Sequence, residues 1–197
     1  ADACGFLVYA LGLLDKETPW GPVDTLVSRI FGLFEGRPFA PCLDVTSPKI
    51  HSVHDAVVHA GLAGPIVRAA PPCLILELNR FADGVKVFKY VQVREELHLE
   101  GQCTRRRPEI VTYRLVAFMS HFGESPQTGH WNATVQHDLE WFVFDDSTVR
   151  RRSIDEVFSH QSAYEATVLM FQREPEDFEE ITVNLRHPPM DDSESPT

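Results

Sequence analysis

The chain has 197 residues, 43% of them hydrophobic, and a formal net charge of -11 at pH 7. That length buries one substantial core and demands no second domain. The acidic balance argues against nucleic acid or an anionic membrane as partner, since a phosphate-binding surface needs clustered Lys and Arg, and the basic knots at residues 105–107 and 150–152 read as solvated loops.

Cys4, Cys42, Cys73 and Cys103 are irregularly spaced, with no CxxC pair and no recognisable secretory leader. The expectation is reduced thiols in an intracellular setting, cytoplasmic or nuclear, with no zinc site to assemble. No apolar run approaches the roughly 20 residues that a membrane span requires. Cys4 opens a segment in which Phe6, Leu7, Ala10, Leu11 and Leu14 recur at helical spacing. A thiol at a helix N-terminus is biased toward thiolate by the macrodipole; a cysteine among apolar residues is equally a small core hydrophobe.

Gly21-Pro22 followed by Val23, Leu26, Val27, Ile30, Leu33 and Phe34 predicts a second helix, and residues 38–48 a loop. Ser52 with Asp55 caps a short helix through His59, closed by Gly61 and Gly64-Pro65. His51, His54 and His59 do not share one helix face and read as surface residues rather than metal ligands. Residues 73–81 alternate as a strand with a leucine face, Asp83-Gly84 turns it, residues 85–93 return, and Leu97 and Leu99 mark a further short strand.

Residues 113–149 organise the rest. The run at 113–119 is nearly all apolar and reads as a strand buried on both faces. The run at 131–135 alternates Trp131, Ala133 and Val135 against Asn132 and Thr134, and a third run at 141–144 delivers Asp145 and Asp146 at its end. His130 falls at the mouth of the hairpin, where an antiparallel return brings a carboxylate to it. A carboxylate on imidazole Nδ1 makes a general base of fixed tautomer. Asn132-Ala133-Thr134 matches the glycosylation sequon, but inside a strand it reads as chance. Residues 153–156 form a capping box with Val157 and Phe158 inward, 163–171 close the sheet, and the chain from residue 174 reads as a frayed acidic tail.

Five blocks in order carry a resemblance: Asp2-Ala3-Cys4 with its helix; His54-Asp55-Ala56; residues 73–81, CLILELNRF; residues 113–131, with a His-Phe-Gly loop and Gly129-His130-Trp131; and residues 141–146, WFVFDD, followed by Val149 and Ala163-Tyr164. They resemble the boxes of the ubiquitin-specific proteases, papain-like cysteine peptidases. The resemblance implies an α+β fold, a helical thumb at about 1–66 on an antiparallel β palm at 67–173, and the tail at 174–197. It implies Cys4 as nucleophile, His130 as general base, Asp145 orienting the imidazole and Asp146 assisting or substituting. Gly123, Gly129 and Trp131 would border a channel for a Gly-Gly tail, no metal or organic cofactor would be needed, and the partner would be ubiquitin or a relative such as SUMO.

The departures are specific. Gly5, Val8, Tyr9 and Gly12 stand where that family carries an aromatic, polar residues and Gln, and His54 and Val58 replace a polar pair. An oxyanion-stabilising asparagine is expected before the cysteine, upstream of Ala1, unless backbone N–H groups and another side chain serve. The short stretch between Gly61 and Cys73 leaves no room for zinc-ribbon fingers. Three readings follow: an active isopeptidase, a binding scaffold with a decayed site, and an unrelated papain-like hydrolase.

Overall fold

The computed structural model describes residues 41–101 and 109–174, together with the backbone of a strand pair at 33–34 and 37–38. In chain order the elements are β1 (Leu33–Phe34), β2 (Arg37–Pro38), β3 (Cys42–Asp44), α1 (Val53–His59), α2 (Ala63–Ala69), β4 (Cys73–Asn79), β5 (Phe81–Ala82), β6 (Val85–Lys86) and β7 (Glu96–Gly101). There follow β8 (Glu109–Ser125), β9 (Thr128–His137), β10 (Glu140–Asp145), β11 (Thr148–Arg152), α3 (Ile154–Val157), α4 (His160–Glu165) and β12 (Ala166–Arg173).

The 17 residues of β8 are the spine. β12 pairs along one edge of it, while β7 takes its first half and β9 its second half on the other. The main sheet runs β11-β10-β9-β8-β12-β4-β3, antiparallel except for the parallel pair β3 and β4. Helices and a mixed sheet make an α+β architecture.

The leucine face of β4 is the centre of the core. Leu74, Leu76 and Leu78 are fully buried and cluster with Leu97 and Leu99 of β7, with Val111, Tyr113 and Leu115 of β8, and with Val57, Ile66 and Val67 of the helices. Each such side chain stabilises by about 1.5–3 kcal/mol. Tyr113 donates its hydroxyl to Pro71 O at 3.2 Å, and burial pushes its phenol up to about 12.

Several expectations are met locally. Ser52 accepts from Asp55 N at 3.1 Å, Asp55 accepts in turn from His51 N, and the Ser153–Glu156 capping box is complete. Asp83 and Gly84 take positive φ between β5 and β6.

Others are corrected. Leu33 and Phe34, expected to end a helix, lie in β1 with Phe34 opposite Arg37; only Glu35-Gly36 separates the pair, a connection length that suits a hairpin. The loop expected at 38–48 contains β3, whose Leu43 and the following Val45 are buried. Thus the segment expected to be a helical thumb also lends a strand to the sheet. Gly64-Pro65 opens α2 rather than closing α1, because proline in a first turn loses no hydrogen bond.

The strand returning after Gly84 is only β6, and residues 150–152 belong to edge strand β11, not to a loop. There Arg151 pairs with Glu140 at 2.6 Å and Arg150 with Glu156 at 3.2 Å. Residues 163–165 finish α4 before β12 begins. The run at 113–119 is buried on one face only, Val116 and Met119 being half-buried, and in β9 it is Thr134, not its apolar neighbours, that is fully buried.

Of the expected frayed tail, Glu174 is described: its N–H donates to Thr112 O at 2.9 Å and its carboxylate pairs with Arg114. The Cys4 segment, the rest of the second expected helix, Cys103, residues 105–107 and the tail from 175 lie outside the described residues. No helix among the described residues is long and apolar enough to cross a membrane.

Candidate active site

Two tight turns bring the candidate groups together. Asp138 and Leu139 join β9 to β10, both at positive φ, and set the register from Glu140 opposite His137 to Phe144 opposite Ala133. Extending that register puts Asp145 across from Asn132 and on the same face as His130, since alternate residues of a strand share a face. Diagonal neighbours on antiparallel strands are about 7–8 Å apart, a gap that an imidazole and a carboxylate bridge. His130 Nε2 donates to Asp145 Oδ1. The two side chains are 46% and 47% exposed, so the pair lies at the surface, open to a third group.

The contact is on Nε2, not on Nδ1 as expected. The carboxylate arrives from the neighbouring strand at the far end of the ring, and Nδ1 has no protein partner among the described residues. The hydrogen bond to Asp145 raises the His130 pKa above the ordinary imidazole value; weak desolvation opposes it, and the charges of Asp145 and Asp146 add to it. Asp146 sits in the turn before β11 at φ +51 and acts on His130 through charge alone. The donor atoms of His130, Asp145 and Asp146 lie within 4.8 Å of one another, which follows from the hydrogen bond and the turn and needs no metal.

Gly123 and Gly129 face each other across β8 and β9, and neither tolerates a side chain. A Cβ at Gly129 would stand 2.3 Å from His121 Nε2 and 2.7 Å from Phe122 O, and one at Gly123 would stand 2.3 Å from Thr128 O. Trp131, next to His130, projects from the opposite face of β9, its ring 4.6 Å from that of His121. It braces the strand rather than standing beside His130.

Sequence reasoning passed over two buried cations and the place of His121. Arg80 is fully buried and donates at 2.7 Å to the carbonyls of Lys89, Ala163 and Ala166, with burial pulling its pKa down to about 10. Its signal is present in the text: Leu74, Leu76, Leu78 and Arg80 keep period two, so Arg80 continues the buried face. Lys86 is buried, ion-paired with Glu165, and donates to His121 O. His121, expected in a loop, is a fully buried residue of β8. Cys73, at the start of β4, is half-buried with its thiol pKa pushed up by burial.

Residues 16–171 match the family model described as ubiquitin carboxyl-terminal hydrolase. The chain belongs to the ubiquitin carboxyl-terminal hydrolase family. It is 36% identical over 111 residues to Arabidopsis thaliana ubiquitin carboxyl-terminal hydrolase 21, covering 53% of this chain and 15% of that protein. Human ubiquitin carboxyl-terminal hydrolase 17-like protein 10 is 35% identical over 92 residues, covering 45% of this chain and 17% of its own length.

Among solved structures, a SAGA DUB module bound to monoubiquitin aligns with TM-score 0.68 at 19% identity, over 89% of this chain and 49% of the other. A yeast SAGA DUBm structure gives 0.65 at 18%, over 88% and 49%. At such identity the likeness shows the fold, the papain-like α+β fold of these hydrolases. This member of the family therefore spans about half of the solved chains and a smaller share of its sequence relatives.

Proposed function

We propose that this chain is the catalytic part of a thiol-dependent isopeptidase that removes ubiquitin, or a relative such as SUMO, from proteins inside the cell. The observation that carries the reading is the His130–Asp145 pair in a member of this family: a surface imidazole with its distal nitrogen held, its pKa raised and Nδ1 without a partner among the described residues. Cys4 is the nucleophile and Nδ1 its partner. A raised imidazole pKa favours the thiolate–imidazolium pair near neutral pH.

The Cys4 thiolate attacks the terminal glycine carbonyl, forming a C–S bond and an oxyanion. On collapse the C–N bond breaks and His130 Nδ1–H protonates the departing lysine amine. His130, now neutral, takes a proton from water as its oxygen attacks the thioester, and the sulfur leaves as thiolate. Asp145 keeps the ring oriented and stabilises its charged form, with Asp146 adding field. Gly123 and Gly129 border the slot for the diglycine tail, whose lack of side chains lets it pass where other peptides do not, with Trp131 behind them. None of these steps calls on a metal or organic cofactor.

A binding-only reading draws on one observation: the family match begins at residue 16, beyond Cys4. Hydrolysis of ubiquitin carrying a fluorogenic C-terminal amide separates the two. The isopeptidase reading expects turnover that is abolished in Cys4→Ala and His130→Ala; saturable ubiquitin binding without turnover would establish the scaffold reading instead.

A further inference from the structure

We infer that His121 is a positioning residue for His130, fixing the backbone on either side of it. The inference rests on the proposed role of His130 as general base. The His121 ring is fully buried in β8, and among the described residues its nitrogens make no well-aligned hydrogen bond, only a poorly aligned approach to the Thr128 backbone. A buried ring with so little hydrogen bonding contributes chiefly through packing. What it supplies is shape and contact.

The ring lies against Gly129, where a Cβ would come within 2.3 Å of Nε2, and against Gly123, where a Cβ would come within 3.0 Å of Cε1. It lies tilted at 49° against Trp131 and meets Phe81 edge-on with centroids 5.6 Å apart. Gly129 and Trp131 are the two neighbours of His130 in the chain, so one imidazole touches both ends of the peptide unit that carries the base. The wedge is itself anchored, because the Lys86 ammonium of β6 holds the His121 carbonyl and is neutralised by Glu165 of α4. Removing the ring leaves space beneath Gly129 and unpins Trp131, and the His130 side chain then loses its fixed approach to Asp145 across the hairpin.

The test is an NMR titration of the His130 imidazole in the full chain, as wild type, His121→Ala and His121→Leu, with kinetics on the fluorogenic ubiquitin amide alongside. In wild type the His130 midpoint is above the ordinary value of about 6.5, and in both variants it falls back to that value. Turnover falls roughly 10- to 100-fold in kcat with KM unchanged, as expected when a catalytic group is misplaced without loss of binding. The leucine variant fills most of the vacated volume and reads the effect should the alanine variant not fold. A folded variant whose His130 midpoint stays at the wild-type value overturns the inference. Because the titration needs no turnover, an inert wild-type chain would refute the hydrolase reading while leaving the positioning of His130 decided on its own.

Discussion

His130 and His121 occupy paired strands, and their surroundings push them in opposite directions. The Asp145 hydrogen bond raises His130, whereas burial, with Lys86 adding to it and Glu165 and the Thr128 backbone opposing, lowers His121. A raised histidine contributes stability below its unfolded value of about 6.5, lost as pH rises through the folded value; a lowered one contributes above about 6.5, lost as pH falls. The exposed pair is solvent-screened and adds little, so the buried ring dominates. Thermal melts are expected to fall as wild type is acidified from pH about 6.5 toward 5, and to stay flat over that range in His121→Phe. An equal acid loss in both would assign it elsewhere. At the same scale Asp145→Asn removes the anion that favours imidazolium: the His130 titration midpoint falls to about 6.5 and kcat drops roughly 10²- to 10⁴-fold, with the fold intact by circular dichroism.

At the scale of elements, the turns decide which side chains meet. Leu139 is 87% exposed at φ +66, a left-handed conformation that costs an L-residue roughly 1–2 kcal/mol. Leu139→Gly is expected to raise stability by about 1 kcal/mol in urea unfolding while leaving the His130–Asp145 register unchanged. Ser153→Ala removes the cap of α3 and is expected to cost about 0.5–2 kcal/mol.

The same elements explain what could be read from the text. Asp83-Gly84 and the Ser153 box were legible because their residue types are required by their geometry, and WFVFDD because aromatic runs ending in carboxylates read as a strand with a polar exit. The bond between β9 and β10 was anticipated in outline, yet not the nitrogen that makes it, since ring orientation depends on the neighbouring strand. β3 was hidden in proline-dense text, its single buried residue, Leu43, with Val45 just beyond it, too little to show a period. α2 was hidden because Gly64-Pro65 signals a stop as readily as a first turn. Leu33 and Phe34 suit helix or strand until Arg37 is found opposite.

At the scale of the molecule, a few buried charges tie the leucine core to the site. Arg80 joins the end of β4 to α4, β12 and the Lys89 carbonyl, and Lys86 and Glu165 bridge β6 to α4 beneath His121. Arg80→Met would strand three carbonyls, two of them in buried bonds, and is expected to cost about 3–5 kcal/mol in chemical unfolding; Arg80→Lys would not restore it, because an ammonium lacks the planar fork. The central claim joins this sheet to a thiol early in the chain: Cys4 as the nucleophile served by His130. Reacting the chain with ubiquitin carrying a C-terminal electrophile and mapping the adduct by mass spectrometry tests it most directly. The account expects one ubiquitin per chain, attached at Cys4 and formed far more slowly in His130→Ala. Attachment at Cys42, Cys73 or Cys103 instead, or no adduct at all, would contradict it.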